Sequence, residues 1–432
     1  MGREMESETT KQPGAAAERA LDQVRAYGKP SDLRITDLRL AVVASNYDYP
    51  ILRIDTSQGA YGIGEVRDAG HKEDALRFKS LLVGKDPTNL DLIFGLISRY
   101  GGPGREAGGI SGIEMALWDL IGKIYGVPVY QFMGGKHRDR IRIYADTPPP
   151  REPTPDGYAA RARQRVESGI GFVKFDMGIE IFRKVGLTGG LSGTRLTDTG
   201  LAYFCSIVEA VRTAVGPEVP LGIDHFGPLS VGDCIRLGRA LEPYSLSWLE
   251  DMLPDTDVEG LREITRAITT PTMNGEGLYL LDGFRPLIDR RAVRIVQPDL
   301  ATAGGIRETK RIADYAARQN IDTVLHFAGS PISFMANLHA AAAIGSFTAL
   351  EHHALDIPWW KDLVTGLPDP LIVDGHAAVP EKPGLGVDLN LEAIAEHLRY
   401  PGLFEPTPEW DLPKLGFYLP PGPTIGGDRH GD

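Results

Sequence analysis

Short apolar runs that close on an acid, a lysine or a histidine recur along most of this chain, and three of the acids are evenly spaced. Asp224, Glu250 and Glu276 stand 26 positions apart in each step. That is about the length of one β-strand with its following helix, so the spacing predicts consecutive β/α units in a parallel sheet. The strand candidates are Ile141–Ala145, Phe172–Asp176, Leu221–Phe226, Leu246–Glu250, Thr272–Glu276, Val293–Asp299, Thr323–Phe327 and Thr348–Glu351. Eight such strands predict a sheet closed on itself, an α/β fold of the TIM-barrel kind.

All strand C-termini of a barrel open onto one face, so the residues ending these runs are predicted to share one cavity. They are Lys174, Asp176, Asp224, Glu250, Glu276, Asp299, His326 and Glu351. A single acid in such a place reads as a helix cap or a solvated turn, but a series at corresponding positions does not. Grouped carboxylates repel one another unless something positive sits among them. Asp224, Glu250 and Glu276 offer only oxygen, which suits Mg2+. Zinc would more often bring His or Cys. Asp299 and His326, on consecutive strand ends, have the form of an orienting carboxylate behind a general base. A metal and such a base together suffice to remove a proton next to a carboxylate and to hold the resulting enediolate.

The rest of the 432-residue chain divides around this barrel. Residues 1–32, rich in Glu, Lys, Ala and Gly, are expected to be a mobile extension without a secretory signal. Residues 33–140 are expected to form an α+β capping domain. Alternation in Ile35–Leu40 and Pro50–Ile54 predicts antiparallel strands, and Ser111–Tyr125 predicts a helix stopped by Gly126. The barrel takes 141–388, and residues 389–432 return to the cap or hang free. A net charge of -12 argues against a nucleic-acid partner. No apolar run is long enough for a membrane span. The cysteines, Cys205 and Cys234, read as buried reduced thiols, which fits a cytoplasmic protein.

Several segments are similar to the mandelate racemase branch of the enolase superfamily. Ala116–Ile141 (ALWDLIGKIYGVPVYQFMGGKHRDRI) resembles its junction between cap and barrel. Trp248–Pro254 (WLEDMLP) and Met273–Gly277 (MNGEG) resemble its second and third metal-ligand strands. Gln297–Glu308 (QPDLATAGGIRE) resembles the turn carrying the dyad aspartate, and Pro383–Asn390 (PGLGVDLN) the closing segment. The resemblance spans roughly residues 33 to 400. It implies a modified (β/α)7β barrel, Mg2+ on Asp224, Glu250 and Glu276, and a catalytic dyad of His326 with Asp299. It also implies a homo-oligomer, with Glu351 contacting the substrate carboxylate or assisting as an acid.

One departure bears on the reaction. The family often carries Lys-x-Lys on the second strand, the second lysine being a base on the opposite face. Here the motif reads Lys174-Phe175-Asp176. Lys174 matches the lysine that neutralises the substrate carboxylate, and an aspartate replaces the second. Racemisation needs a proton donor on each face, whereas dehydration needs one base and an acid, and His326 can serve as both in turn. The resemblance thus points to a lyase, a sugar-acid dehydratase giving a 2-keto-3-deoxy acid from a small-molecule substrate. The alternatives are a racemase or epimerase of a 2-hydroxy acid, or a non-catalytic metal-binding relative.

The loops add further candidates. Met177–Thr197 reads as a lid or a plain solvent loop, with Arg183, Lys184 and Arg195 as its substrate contacts. Ser45–Tyr49 and Gly64–Arg67 resemble the family's specificity loops, Glu65 and Arg67 meeting the substrate's far end or pairing on the surface. His225 is expected to face away from the cavity, with Phe226 inward, because neighbours on a strand alternate. His352 and His353 are secondary candidates, and Trp359-Trp360 reads as packing.

Overall fold

The computed structural model describes residues 32–177, 187–188, 195–224 and 229–413. The expectations for Arg183, Lys184, His225, Phe226 and the N-terminal extension lie outside the described residues.

Alternating apolar residues form the cap's antiparallel sheet from Ile35–Val43, Tyr49–Thr56 and Tyr61–Glu65. Its third strand packs on the Gly108–Tyr125 helix, which begins earlier than predicted and ends at Gly126 in the left-handed conformation (φ 71°). The packing is close. A Cβ on Gly64 would stand 2.2 Å from the Gly112 carbonyl oxygen, so only glycine allows this approach.

Eight parallel strands close the barrel: Arg140–Ala145, Val173–Asp176, Leu221–Asp224, Trp248–Glu250, Thr272–Asn274, Ile295–Val296, Asp322–Leu325 and Phe347–His352. Closure comes from Leu350, Glu351 and His352 pairing in register with Ile143, Tyr144 and Ala145. Tyr144, Phe172, Trp248, Met273, Ile295, Val324 and Ala349 fill the interior, Trp248 standing 4.9 Å from the Phe172 ring and 5.2 Å from Tyr144. The polar mouth therefore rests on a packed floor, not on a channel.

Strands five to seven stop short of their predicted ends. Glu276, Asp299 and His326 lie just beyond the ladder, and Asp299 caps the short Leu300–Ala303 helix by accepting a bond from the Thr302 amide. A side chain needed for capping leaves the strand because a helix N-terminus requires an acceptor there.

Cap and barrel are joined through buried acids. Glu114 accepts bonds from the Ile306 and Arg307 amides at 2.7 and 3.1 Å, capping the Ile306–Ala317 barrel helix. Glu65 accepts from the Ser330 amide at 2.9 Å and from its hydroxyl, at the head of the Pro331–Ala343 helix. Asp119 receives the amides of Ile63 (2.9 Å) and Leu385 (2.8 Å), tying sheet, cap helix and closing segment together. The C-terminal segment returns to the cap: the Arg399 amide donates to Val42, the Thr407 hydroxyl to Leu38, and Trp410 enters the cap core. Cys234 is buried as expected, whereas Cys205 is only half-buried.

Candidate active site

Lys174 stands at the centre of the barrel mouth. Its ammonium lies 2.7 Å from Glu351, 2.9 Å from Asp224, 3.3 Å from Glu250 and 3.5 Å from Asp146, and it is buried. Burial alone would lower its pKa, but Asp224, Glu250, Glu351 and Asp146 outweigh that and hold it well above its usual value. Glu250 is buttressed from the floor by Gln297 Nε2 (2.6 Å) and Trp248 Nε1 (3.1 Å), and Glu351 by the Tyr144 hydroxyl (3.1 Å).

His326 and Asp299 meet as predicted, Nδ1 to Oδ2 at 2.6 Å. The opposite ring nitrogen, Nε2, lies 3.0 Å from Glu276 and 3.8 Å from Glu351. Burial would lower the imidazole's pKa, but Glu276, Glu351 and the Asp299 bond raise it to about 9. For Asp299, burial is outweighed by Arg67 and His326, which keep it below the usual carboxylate range.

Arg67 is not the surface ion-pair partner that is one of its two expected roles. It is buried, with Nε 2.6 Å from Asp68 and Nη1 3.3 Å from Asp299, and it also bonds Thr302 and the Glu276 carbonyl. Glu65 is likewise spent on Ser330, and burial pushes its carboxyl up to about 8 against those bonds. Both residues build the site's walls.

The three acids expected to hold the metal are at the mouth, with different immediate partners. Asp224 and Glu250 share Lys174, while Glu276 turns to His326 and, at 3.7 Å, to Arg67. Among the described residues, the three groups whose ligand atoms all lie within 4.8 Å of one another are Asp146, Glu351 and His353. Lys174 stands between the two sides, 2.7 Å from Glu351 and 2.9 Å from Asp224, and the side of Asp224, Glu250 and Glu276 carries one further acid, Asp251. Asp251 is held by Asn274 Nδ2 at 2.9 Å, and burial, Glu276, Asp224 and Asp255 push it well above the carboxylate range. Glu250 is raised the same way by burial and Asp224. Four crowded carboxylates with hard oxygens therefore fit a divalent cation at Asp224, Glu250 and Glu276.

Asp176 sits at the second strand's end, its carboxyl raised well above the usual range by burial and Asp146. His353 places Nε2 3.0 Å from Asp146, while His352 faces away into Phe334 (5.0 Å) and Trp360 (4.8 Å). Trp360 packs in that aromatic box and Trp359 stacks on His397 at 3.8 Å, so both are packing residues. Arg195 is exposed on a two-residue strand.

Sequence reasoning missed Asp146 and Asp251. Asp146 carries the same signal as the others, an acid directly after an apolar run. Asp251 follows Glu250 and would face outward on a regular strand, but its φ of 49° turns the chain there.

Residues 34–134 match the mandelate racemase/muconate lactonizing enzyme N-terminal domain, and residues 157–394 the enolase C-terminal domain-like family. The "D-xylonate dehydratase" of Haloferax volcanii is 37 % identical over 385 residues, covering 88 % of this chain and 92 % of that one. The "D-galactonate dehydratase family member RspA" of Cellvibrio japonicus is 30 % identical over 391 residues, covering 84 % and 95 %. The crystal structure of a mandelate racemase/muconate lactonizing enzyme-like protein from Rubrobacter xylanophilus superposes with a TM-score of 0.79. It is 34 % identical and covers 86 % of this chain and 99 % of its own. A closed barrel, a sheet-rich cap and relatives matched along nearly their whole length place this chain in the mandelate racemase/muconate lactonizing enzyme family of the enolase superfamily.

Proposed function

We propose that this chain is an Mg2+-dependent acid-sugar dehydratase that converts a sugar acid to its 2-keto-3-deoxy acid. The observation that carries the reading is the 2.6 Å His326–Asp299 contact with the other ring nitrogen turned to the acid-lined mouth. The relatives named D-xylonate and D-galactonate dehydratase support it.

Asp299 accepts the Nδ1 proton and so leaves Nε2 as the nitrogen that, in the neutral ring, takes the proton next to the substrate carboxylate. Lys174 holds positive charge where that carboxylate docks, and Glu351 fixes the lysine from the far side. Asp224, Glu250 and Glu276 would hold Mg2+, which would supply positive charge beside the anion that forms when the proton leaves. The floor beneath the site keeps bulk water out from below. An aspartate stands where a second lysine would be the base of the opposite face, and the relatives named as dehydratases favour elimination over racemisation.

The reading extends to a cytoplasmic homo-oligomer acting on a small molecule. The free thiols of Cys205 and Cys234 support the compartment. Among the described residues no helix is long and apolar enough to cross a membrane.

The test is a screen of mono- and diacid sugars with Mg2+, detecting 2-keto acids, for the wild type and His326→Asn. Keto acid from the wild type that is lost in the variant is the expected result. If the wild type yields no keto acid but exchanges its substrate's α-proton with deuterated solvent, the chain is a racemase or epimerase.

A further inference from the structure

Two histidine–aspartate pairs flank Glu351. His326 Nε2 lies 3.8 Å from one Glu351 oxygen and is backed by Asp299. On the other side, His353 and Asp146 have ligand atoms within 4.8 Å of Glu351, and His353 Nε2 is 3.0 Å from Asp146 Oδ2. Strand alternation puts His353 there: Glu351 faces in, His352 faces out into Phe334 and Trp360, and the next residue faces in again. Asp146 is buried, while the His353 side chain remains 15 % exposed.

The Nδ1 edge of His353 faces the cap. It lies 3.5 Å from Asn46 Nδ2, longer than a good hydrogen bond, and the Tyr47 ring covers the imidazole at 5.6 Å. Asn46 is therefore the weakly held group that a substrate hydroxyl would displace at Nδ1. Lys174, the nearby alternative donor, is held by four carboxylates.

We propose that His353, oriented by Asp146, is the general acid that protonates the departing hydroxyl in the elimination. The assignment rests on the dehydratase reading above. His326 takes the proton from C2, and the C–H electron pair becomes the enediolate. The C3–O bond then breaks, its pair leaving with oxygen, which takes the proton from His353 Nδ1 and departs as water. The enol becomes the ketone by losing its hydroxyl proton and gaining one at C3. His326 passes its proton to solvent and His353 takes one back.

The test compares the sugar acid that the screen above identifies, D-xylonate being the first tried, with its 3-deoxy-3-fluoro analogue, because fluoride leaves without needing a proton. In His353→Gln, water elimination is expected to fall about 10²- to 10⁴-fold, the usual contribution of a general acid. Fluoride elimination and α-proton exchange should stay near wild type, which also certifies fold and binding. Asp146→Asn should show the same pattern more weakly. The inference is overturned if both leaving groups slow equally or neither slows in His353→Gln. It is equally overturned if the variant loses bound Mg2+, or if Asp176→Asn shows the leaving-group pattern and His353→Gln does not. A wild type that forms no keto acid from any sugar acid of the screen above defeats the dehydratase reading itself. Failure confined to the variants defeats only the role of His353.

Discussion

Arg67 of the cap places Nη1 3.3 Å from Asp299 of the barrel, so a buried guanidinium from one domain braces the carboxylate behind the histidine of the other. The same arginine reaches Asp68, Thr302 and the Glu276 carbonyl, a geometry only a fork of donors can satisfy. Arg67→Lys keeps the charge and loses the fork. Turnover should fall about 10- to 100-fold with KM little changed, as for groups that orient a reactive partner from behind. Steady-state kinetics beside circular dichroism checks this, and unchanged turnover would show that the brace is dispensable.

The crowd of Asp224, Glu250, Asp251 and Glu276 should bind one divalent cation per chain. Titrating Mg2+ into chelator-treated protein should raise thermal stability, by about 2.7 kcal/mol at a hundredfold excess over Kd. Glu250→Gln should abolish most of that gain in calorimetry, because it removes one charged ligand from beside Asp224.

Gly64→Ala tests the closeness of the cap's strand to its helix. The added methyl would meet the Gly112 carbonyl at 2.2 Å and the Ala116 amide at 2.9 Å, both backbone atoms that cannot swing aside. A loss of about 1–3 kcal/mol in urea unfolding is expected, the cost of forcing volume into a packed core. A change within about 0.5 kcal/mol, typical of surface substitutions, would mean the strand has slack.

His339 is fully buried in the Pro331–Ala343 helix, where Nδ1 accepts the Tyr130 amide at 3.3 Å. Burial lowers its pKa to about 4, so the folded chain refuses a proton that the unfolded chain takes near pH 6.5. The unfolded state then binds more protons between those values, and stability falls as pH drops through that window. The share from His339 is about 2 kcal/mol between pH 7 and pH 5. Urea midpoints for wild type and His339→Phe at both pH values should show the smaller pH slope in the variant.

Much of the barrel was legible because its strands are continuous apolar runs, the pattern of a sheet buried on both faces. The ends were less legible. Glu276, Asp299 and His326 sit just past the ladder, where capping and loop geometry decide the backbone, and hydrophobic pattern carries no information about either. The cap's third strand, Tyr61–Glu65, was missed because Gly62 and Gly64 weaken the strand signal, and those glycines serve a helix that is distant in sequence. The residues of the mouth were read from strand-end position. Apart from that of His326 with Asp299, their pairings were not readable, since Glu276 turns to His326 and Arg67, and the arginine comes from another domain.

The Arg67–Asp299 contact also says where this protein can be cut and spliced. An exchange of caps between relatives made at the boundary near residue 134 would remove the guanidinium with the native cap and strand the barrel's aspartate wherever the incoming cap lacks an arginine at that place. A working chimera must treat residues 65–68 as barrel property, grafting around them, so the seam that matters for recombination runs through the cap.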